Sequence, residues 1–203
     1  MGAAIDAYIA EHGFGAWQTA VSAGQHEHPQ GLFYGGRDPT WSHLTLRHVL
    51  RDHGRRCARL AWIDLHTGLG PSGHGERIFA GDDDATAVAR ARRWWGEVTS
   101  IYDGSSTSAR LTGLMWTCAA QDCPQAEHTG IALEYGTLPL PQMFDALRAE
   151  QWLENHPETD SATASTIKRQ MRDAFYIDTD PWKQRIVEQG LDAARQAVAG
   201  LAD

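Results

Sequence analysis

The chain has 203 residues, 42% of them hydrophobic, which is enough to bury one sizeable core and favours a single domain over 1–203. Its formal net charge of −8, with 18 Lys and Arg scattered among 26 Asp and Glu, excludes the dense cationic face that nucleic acid requires. Cys57, Cys118 and Cys123 form no CxxC pair, so neither a disulfide framework nor a cysteine zinc knuckle is expected.

No run reaches the length of a membrane span, and the amino terminus (MGAAIDAYIAEHG) lacks both basic residues and an apolar signal core. The expectation is a cytoplasmic chain with reduced thiols. From the amino end, residues 2–12 and 14–23 read as helices parted by Gly13, and 24–36 (GQHEHPQGLFYGG) as a glycine-rich loop with two histidines and two aromatics. Asp38-Pro39 opens a helix whose buried stripe is Leu44, Leu46, Val49 and Leu50. A strand is expected over Arg59–Leu65, a loop over Gly68–Gly75, and a short strand at Ile78–Ala80. Asp82, Asp83 and Asp84 head a helix to about Trp95, since acids favour a helix amino terminus.

The second half repeats the rhythm: strands are expected at Arg110–Ala119 (RLTGLMWTCA) and Gly130–Glu134 (GIALE). Helices follow over Pro139–Asn155, Ala162–Ala174 and Pro181 to about Ala199. Strands alternating with helices of this length predict an α/β layer fold with a mainly parallel central sheet.

Within that fold, the stretch AWIDLHTGLG carries the first candidate. His66 stands at the carboxyl end of a strand, where ligands gather in open α/β sheets, and Gly68, Gly70, Gly73 and Gly75 follow it. Alternation sets Trp62, Asp64 and His66 on one face, so Asp64 is placed to orient the imidazole or a ligand beside it. The competing reading is a strand-end histidine satisfied by a backbone carbonyl.

Glu134, in IALEYGT, ends a second buried strand. A carboxylate there is either paired or raised in pKa, and a desolvated Glu has a pKa suited to general-base work. The competing reading is a salt bridge to a surface arginine. Imidazole and carboxylate at two strand ends are the ingredients of metal-assisted hydrolysis.

Weaker signals surround these two. His74 and Glu76 are candidate substrate contacts in the cavity of His66, against a solvated loop, and Tyr34 and Tyr135 are candidate cavity-lining phenols, against packing. Tyr102, Asp103 and GSSTS form a polar loop able to cradle a phosphate or carboxylate through backbone N–H groups. Gly70-Pro71-Ser72-Gly73-His74 fails the G-x-S-x-G pattern at its last position, so a nucleophile elbow is not supported. Trp94, Trp95 and Trp152 read as core or shielding residues.

IDLHTGLGPSGHGE together with GIALEYGT resembles the zinc carboxypeptidase superfamily, which holds carboxypeptidase A and the aspartoacylase and succinylglutamate desuccinylase enzymes. The nearest resemblance is to a bacterial branch carried as a domain of unknown function, and it runs from GLFYGG through DPWK. It implies a three-layer α/β/α sandwich around a mixed, mainly parallel sheet. It also implies a zinc ion held by an early H-x-x-E pair and a later histidine, with a late glutamate as general base. By position His66 matches the later histidine and Glu134 the base.

No H-x-x-E occurs in the 203 residues, nor does the asparagine-arginine segment that holds a substrate carboxylate in such enzymes. His26 and His28 stand at the wrong place in the order to substitute. The chain therefore reads as the carboxyl-terminal portion of the fold, with the first strands of the sheet missing. Two functions are expected from this. One is zinc-dependent hydrolysis of an amide bond beside a carboxylate, in a peptide or acyl-amino acid. The other is a non-catalytic remnant that binds a partner or associates with itself through an exposed sheet edge.

Overall fold

The structure is a computed structural model that describes residues 2–202. Helix α1 (Ala3–His12) passes to α2 (Phe14–Ser22) through Gly13, whose φ of 86° suits glycine and stops the first helix. Helix α3 (Trp41–His53) starts at Thr40, whose hydroxyl accepts from the His43 N–H at 3.3 Å. Strand β1 (Arg59–Ser72) and strand β2 (Gly75–Phe79) follow. Asp84 then caps α4 (Ala85–Trp95) by accepting from the Ala87 N–H at 2.9 Å, as the acidic run predicts. Strand β3 (Thr99–Ser100), helix α5 (Cys118–Asp122) and strand β4 (Glu127–Gly136) complete the sheet region, and α6 (Leu140–Glu154), α7 (Ser161–Phe175) and α8 (Asp180–Ala202) close the chain.

The sheet is mixed, in the order β1-β4-β2-β3, with β1–β4 and β2–β3 parallel and β4–β2 antiparallel. Alternation along β4 sends Ile131, Leu133 and Tyr135 to one face, where they pack with Ala91 and Trp95 of α4 and with Trp182, Ala193 and Ala197 of α8. On the other face Leu60 and Trp62 of β1 meet Leu50 of α3 and Cys118 of α5, while Ile78 and Ala80 meet Ile101, Leu114 and Trp116. Helices on both faces of one sheet make the three-layer α/β/α sandwich expected. Each fully buried large side chain contributes about 2–3 kcal/mol of the stabilisation.

Two polar ties hold the layers in register. Asp122 at the end of α5 accepts from Arg47 and Arg51 of α3, each at 3.0 Å. On the far side the Gln189 amide of α8 accepts from the Gly75 N–H at 2.8 Å and donates to the Gly73 carbonyl at 3.0 Å, while the Trp182 indole donates to the Gly136 carbonyl at 3.0 Å.

The structure departs from the sequence reading in three places. Of the stripe read on α3, Leu50 is buried and Leu46 half-buried against it, while Leu44 and Val49 are exposed, because the helix rests on the sheet along one edge only. Arg110–Ala119 is not a strand: Gly113 takes φ 70°, Met115–Thr117 is a single 3-10 turn, and α5 begins at Cys118. Its apolar residues are buried by lying over the sheet, a burial that a short apolar run supports as well as strand pairing does. Gly68–Gly75 is not a free loop. β1 runs on to Ser72, and Gly68 and Ser72 both register with Gly136, so residues 69–71 form a bulge. The short β3 carries too few residues to show a periodic signal.

Candidate active site

The two candidate residues are nearest neighbours across the parallel pair, with His66 in register with Glu134 near the carboxyl ends of β1 and β4. Both line one cavity of about 270 Å³, closed on the far side by Leu111, Leu114 and Trp116. The apolar run that does not form a strand is therefore the wall of this cavity.

Asp64 sits two residues before His66 on the same face, and its carboxylate lies 3.1 Å from His66 Nε2. A carboxylate only accepts, so Nε2 carries the proton and Nδ1 is turned toward Glu134, 3.9 Å from Oε2. At that distance the contact is coulombic rather than a hydrogen bond. The hydrogen bond to Asp64 raises the His66 pKa, with smaller contributions from the charges of Asp64 and Glu134, against the lowering effect of burial. The imidazole is thus satisfied by a carboxylate, not by the backbone carbonyl of the competing reading.

Among the described residues Glu134 has no arginine partner. Its Oε1 accepts from the Leu69 N–H at 2.8 Å. That amide is in the bulge, which turns it out of the ladder and onto the carboxylate. Gly68, beside it, takes φ 150°, and a side chain there would meet Phe175 and the Glu134 carboxylate at 3.3 and 3.4 Å. Burial raises the Glu134 pKa, the Leu69 amide and His66 oppose the rise, and the nearby charge of Glu76 adds to it.

Glu76 lies opposite Glu134 on β2 but serves a different end. Its carboxylate accepts from the Thr99 hydroxyl at 2.6 Å, from the Thr107 N–H at 3.1 Å, and from the Thr107 hydroxyl. The polar loop GSSTS is thus a carboxylate cradle, and the carboxylate it holds is the chain's own. His74 and Glu76 border a separate concavity with Arg77 and Arg92, which among the described residues shares no lining residue with the His66 cavity, so the two do not face that cavity as expected. Tyr135 is displaced as well: its ring is buried on the opposite face, and its hydroxyl donates to the Ile186 carbonyl at 3.0 Å. Alternation alone places Tyr135 and Glu134 on opposite faces. Tyr34 bridges to Gln25 and packs edge-on to His26. Trp95 is core, whereas Trp152 is half-exposed and stacks on His156.

With this geometry in hand, the comparison with protein families is decisive on membership: the family model described as "Protein of unknown function (DUF2817)" matches residues 1–189. The chain belongs to the DUF2817 family. That match takes in His66, Glu134, Asp64 and the cavity walls of this DUF2817 protein. No curated protein and no solved structure matches.

The zinc that the sequence resemblance implies was tested against the donors present. Catalytic zinc takes three protein ligands and keeps an open position. Among the described residues no three His, Cys, Asp or Glu side chains form a group able to hold a metal. Among the described residues, those with donor atoms beside His66 are Asp64, bonded to its Nε2, and Glu134, bonded to Leu69. The residues present in this DUF2817 chain do not fit a catalytic zinc by themselves.

Proposed function

We propose that this chain is a hydrolase of amide bonds in a peptide or acyl-amino acid, with Glu134 as general base. The observation that supports this reading is the in-register pair of His66 and Glu134 on one cavity, with one glutamate oxygen held and the other turned inward. Glu134 Oε2 takes a proton from a water molecule as the water oxygen bonds to the amide carbonyl carbon. The same proton passes to the nitrogen as the C–N bond breaks, which leaves a carboxylic acid and an amine and restores the carboxylate. Asp64 favours the protonated form of His66, which carries a hydrogen on Nδ1 as well and in that form sets positive charge beside the carbonyl oxygen as that oxygen gains negative charge. The resemblance gives His66 a further role, as a metal ligand, which the donor set of this chain does not complete.

The test is turnover of a panel of N-acyl amino acids, their neutral amides and dipeptides by the wild-type chain and Glu134→Gln. Loss of about 10²–10⁴-fold in the variant supports the reading. Equal rates in the two proteins overturn it.

A second reading, a binding domain that associates with itself, draws on the edge position of β1, where Leu65 is 65% exposed. Sedimentation that shows a concentration-dependent dimer, lost in Leu65→Lys, supports it, and a monomer at all concentrations overturns it. Among the described residues no helix is long and apolar enough to cross a membrane. With Cys57, Cys118 and Cys123 all free, we place the protein in the cytoplasm.

A further inference from the structure

Glu134 borders two chambers, not one. Ser22, Leu69 and Glu134 are shared between the His66 cavity and a second cavity of about 230 Å³. The second is walled by Trp17 of α2, Phe33 of the glycine-rich loop, Met143, Phe144 and Leu147 of α6, and Phe175 of α7. We infer that this second chamber seats an uncharged aromatic or branched aliphatic group of the substrate, next to the bond that Glu134 attacks. The inference rests on the proposed role of Glu134 and amends its substrate: the carboxylate expected beside the bond is replaced by a neutral, apolar group.

Three observations carry it. Size is the first: an apolar cavity of roughly 150 Å³ takes benzene, so this one accommodates a ring with a short linker. Charge is the second. Among the described residues Glu134 is the one charged side chain in the chamber's lining, and the His66 cavity beside it adds Asp64 and the imidazole bonded to it, with no Lys or Arg. A carboxylate seated in the second chamber meets Glu134 with no cation in that lining to anchor it, while a neutral group loses only water.

Backbone strain is the third. Phe33 takes φ 57°, the single positive φ at a non-glycine residue among those described. A bulky residue in the left-handed region costs about 1–3 kcal/mol and persists only where its surroundings over-determine it. Here they do. The Phe33 carbonyl accepts from the Gln25 N–H at 3.0 Å, Gly35 donates to the Gln25 carbonyl at 2.9 Å, and the Gln25 amide donates to the His28 and Leu32 carbonyls at 2.8 and 3.2 Å. That scaffold holds a ring 41% exposed at the wall of the chamber, where glycine would satisfy the backbone without strain. The glycine-rich loop GQHEHPQGLFYGG thereby acquires a use as the frame of a binding wall.

Three probes of one shape separate the possibilities: 3-phenylpropanamide, 3-phenylpropanoate and 3-phenylpropylamine, titrated into the full chain by calorimetry. The amide is expected to bind at least about tenfold more tightly than the carboxylate, the scale of one like-charge contact at a few ångströms. Phe33→Gly, which relieves the backbone, is expected to keep or raise the melting temperature while weakening amide binding about tenfold. Leu147→Trp, which fills the chamber, is expected to abolish binding with the circular dichroism unchanged. Glu134→Gln is expected to retain amide binding and to lose the discrimination against carboxylate. Carboxylate binding equal to or tighter than that of the amide, absence of amide binding, or binding indifferent to Phe33→Gly overturns the inference. Turnover plays no part in these readouts. An inactive chain that binds the amide in this pattern overturns the hydrolase reading alone, and an active chain that does not bind it overturns the chamber alone.

Discussion

Glu76 and Glu134 stand directly opposite one another across the antiparallel β2–β4 pair, and the donors around them are divided unequally. Glu76 receives both threonine hydroxyls and the Thr107 amide, whereas Glu134 receives one backbone N–H. Glu76 thus has its oxygens taken up by donors of the chain itself, whereas burial raises the Glu134 pKa and one Glu134 oxygen is left facing the cavity. The proposed base is the carboxylate of the two that the fold leaves short of donors.

Glu134→Gln is accordingly expected to do two opposite things. It removes turnover, and it stabilises the fold by about 1 kcal/mol at neutral pH, since the amide keeps an oxygen for the Leu69 N–H without the charge. Thermal unfolding alongside the rate assay checks both. A variant that is inactive and also markedly less stable would show the carboxylate to be structural.

Asp64→Asn is expected to lower the His66 pKa, because the hydrogen bond from the imidazole to Asp64 is the chief cause of its rise. The sign for stability follows. A histidine whose folded pKa lies above its unfolded value stabilises fully below the unfolded value, near 6.5, and that contribution is lost as pH rises through the folded pKa. Imidazole NMR shifts followed from pH 5 to 9 give the pKa directly. An unchanged midpoint in Asp64→Asn refutes the pairing.

Asp122→Ala is expected to loosen α5 from α3 and lower the melting temperature by several degrees, because Arg47 and Arg51 lose their common acceptor. Arg47 chiefly, with Arg51, holds the Asp122 carboxyl below the usual range. Its stabilising contribution is therefore present above the ordinary carboxylate pKa and lost as pH falls through the depressed one. Acid melts of wild type and variant converge at low pH if this is right and stay parallel if it is not.

Gly136→Ala tests the register at the end of β4. A Cβ there would lie 2.1 Å from the Pro71 carbonyl oxygen and 2.4 Å from that of Gly70, so the bulge must move. The expected cost is about 3 kcal/mol, from overpacking against backbone that has no rotamer to change. Denaturant melts showing a change of under a few tenths of a kilocalorie would mean that the bulge is pliable and does not fix Leu69.

Metal content follows from the donor set. Dialysed against zinc without an affinity tag, the chain is expected to retain well under one equivalent. Elemental analysis finding near-stoichiometric zinc that disappears in His66→Ala would show that further ligands join this imidazole.

The layer architecture, the two strands that carry His66 and Glu134, and the flanking helices are all legible from periodicity, glycine and proline punctuation, and the acidic head of α4. That His66 and Glu134 share one side of the sheet was expected from strand ends and the resemblance, but their register on adjacent strands was not legible. The bulge was not legible, because pairing of two β1 residues with Gly136 depends on a strand 64 to 68 positions away. Nor was the wall role of Arg110–Ala119: an apolar run says that it is buried, not which neighbour buries it. Glu76 misled because its spacing from His74 gives the face of β2 but not Thr99 and Thr107, which take up its oxygens. Phe33 left no signal in the sequence beyond glycines on either side of a short aromatic pair.

The grip of Gln189 on Gly73 and Gly75 gives the fold a schedule. Its two ends are separated by up to 116 positions, so the turn between β1 and β2 emerges from the ribosome long before the amide that fastens it. At ordinary elongation rates the wait is on the order of 10 s. The Gly136 carbonyl waits likewise for Trp182. Throughout that interval the nascent sheet carries both proposed reacting groups without the helix that locks their strand ends, and it must be sheltered from other sheet edges until α8 is made.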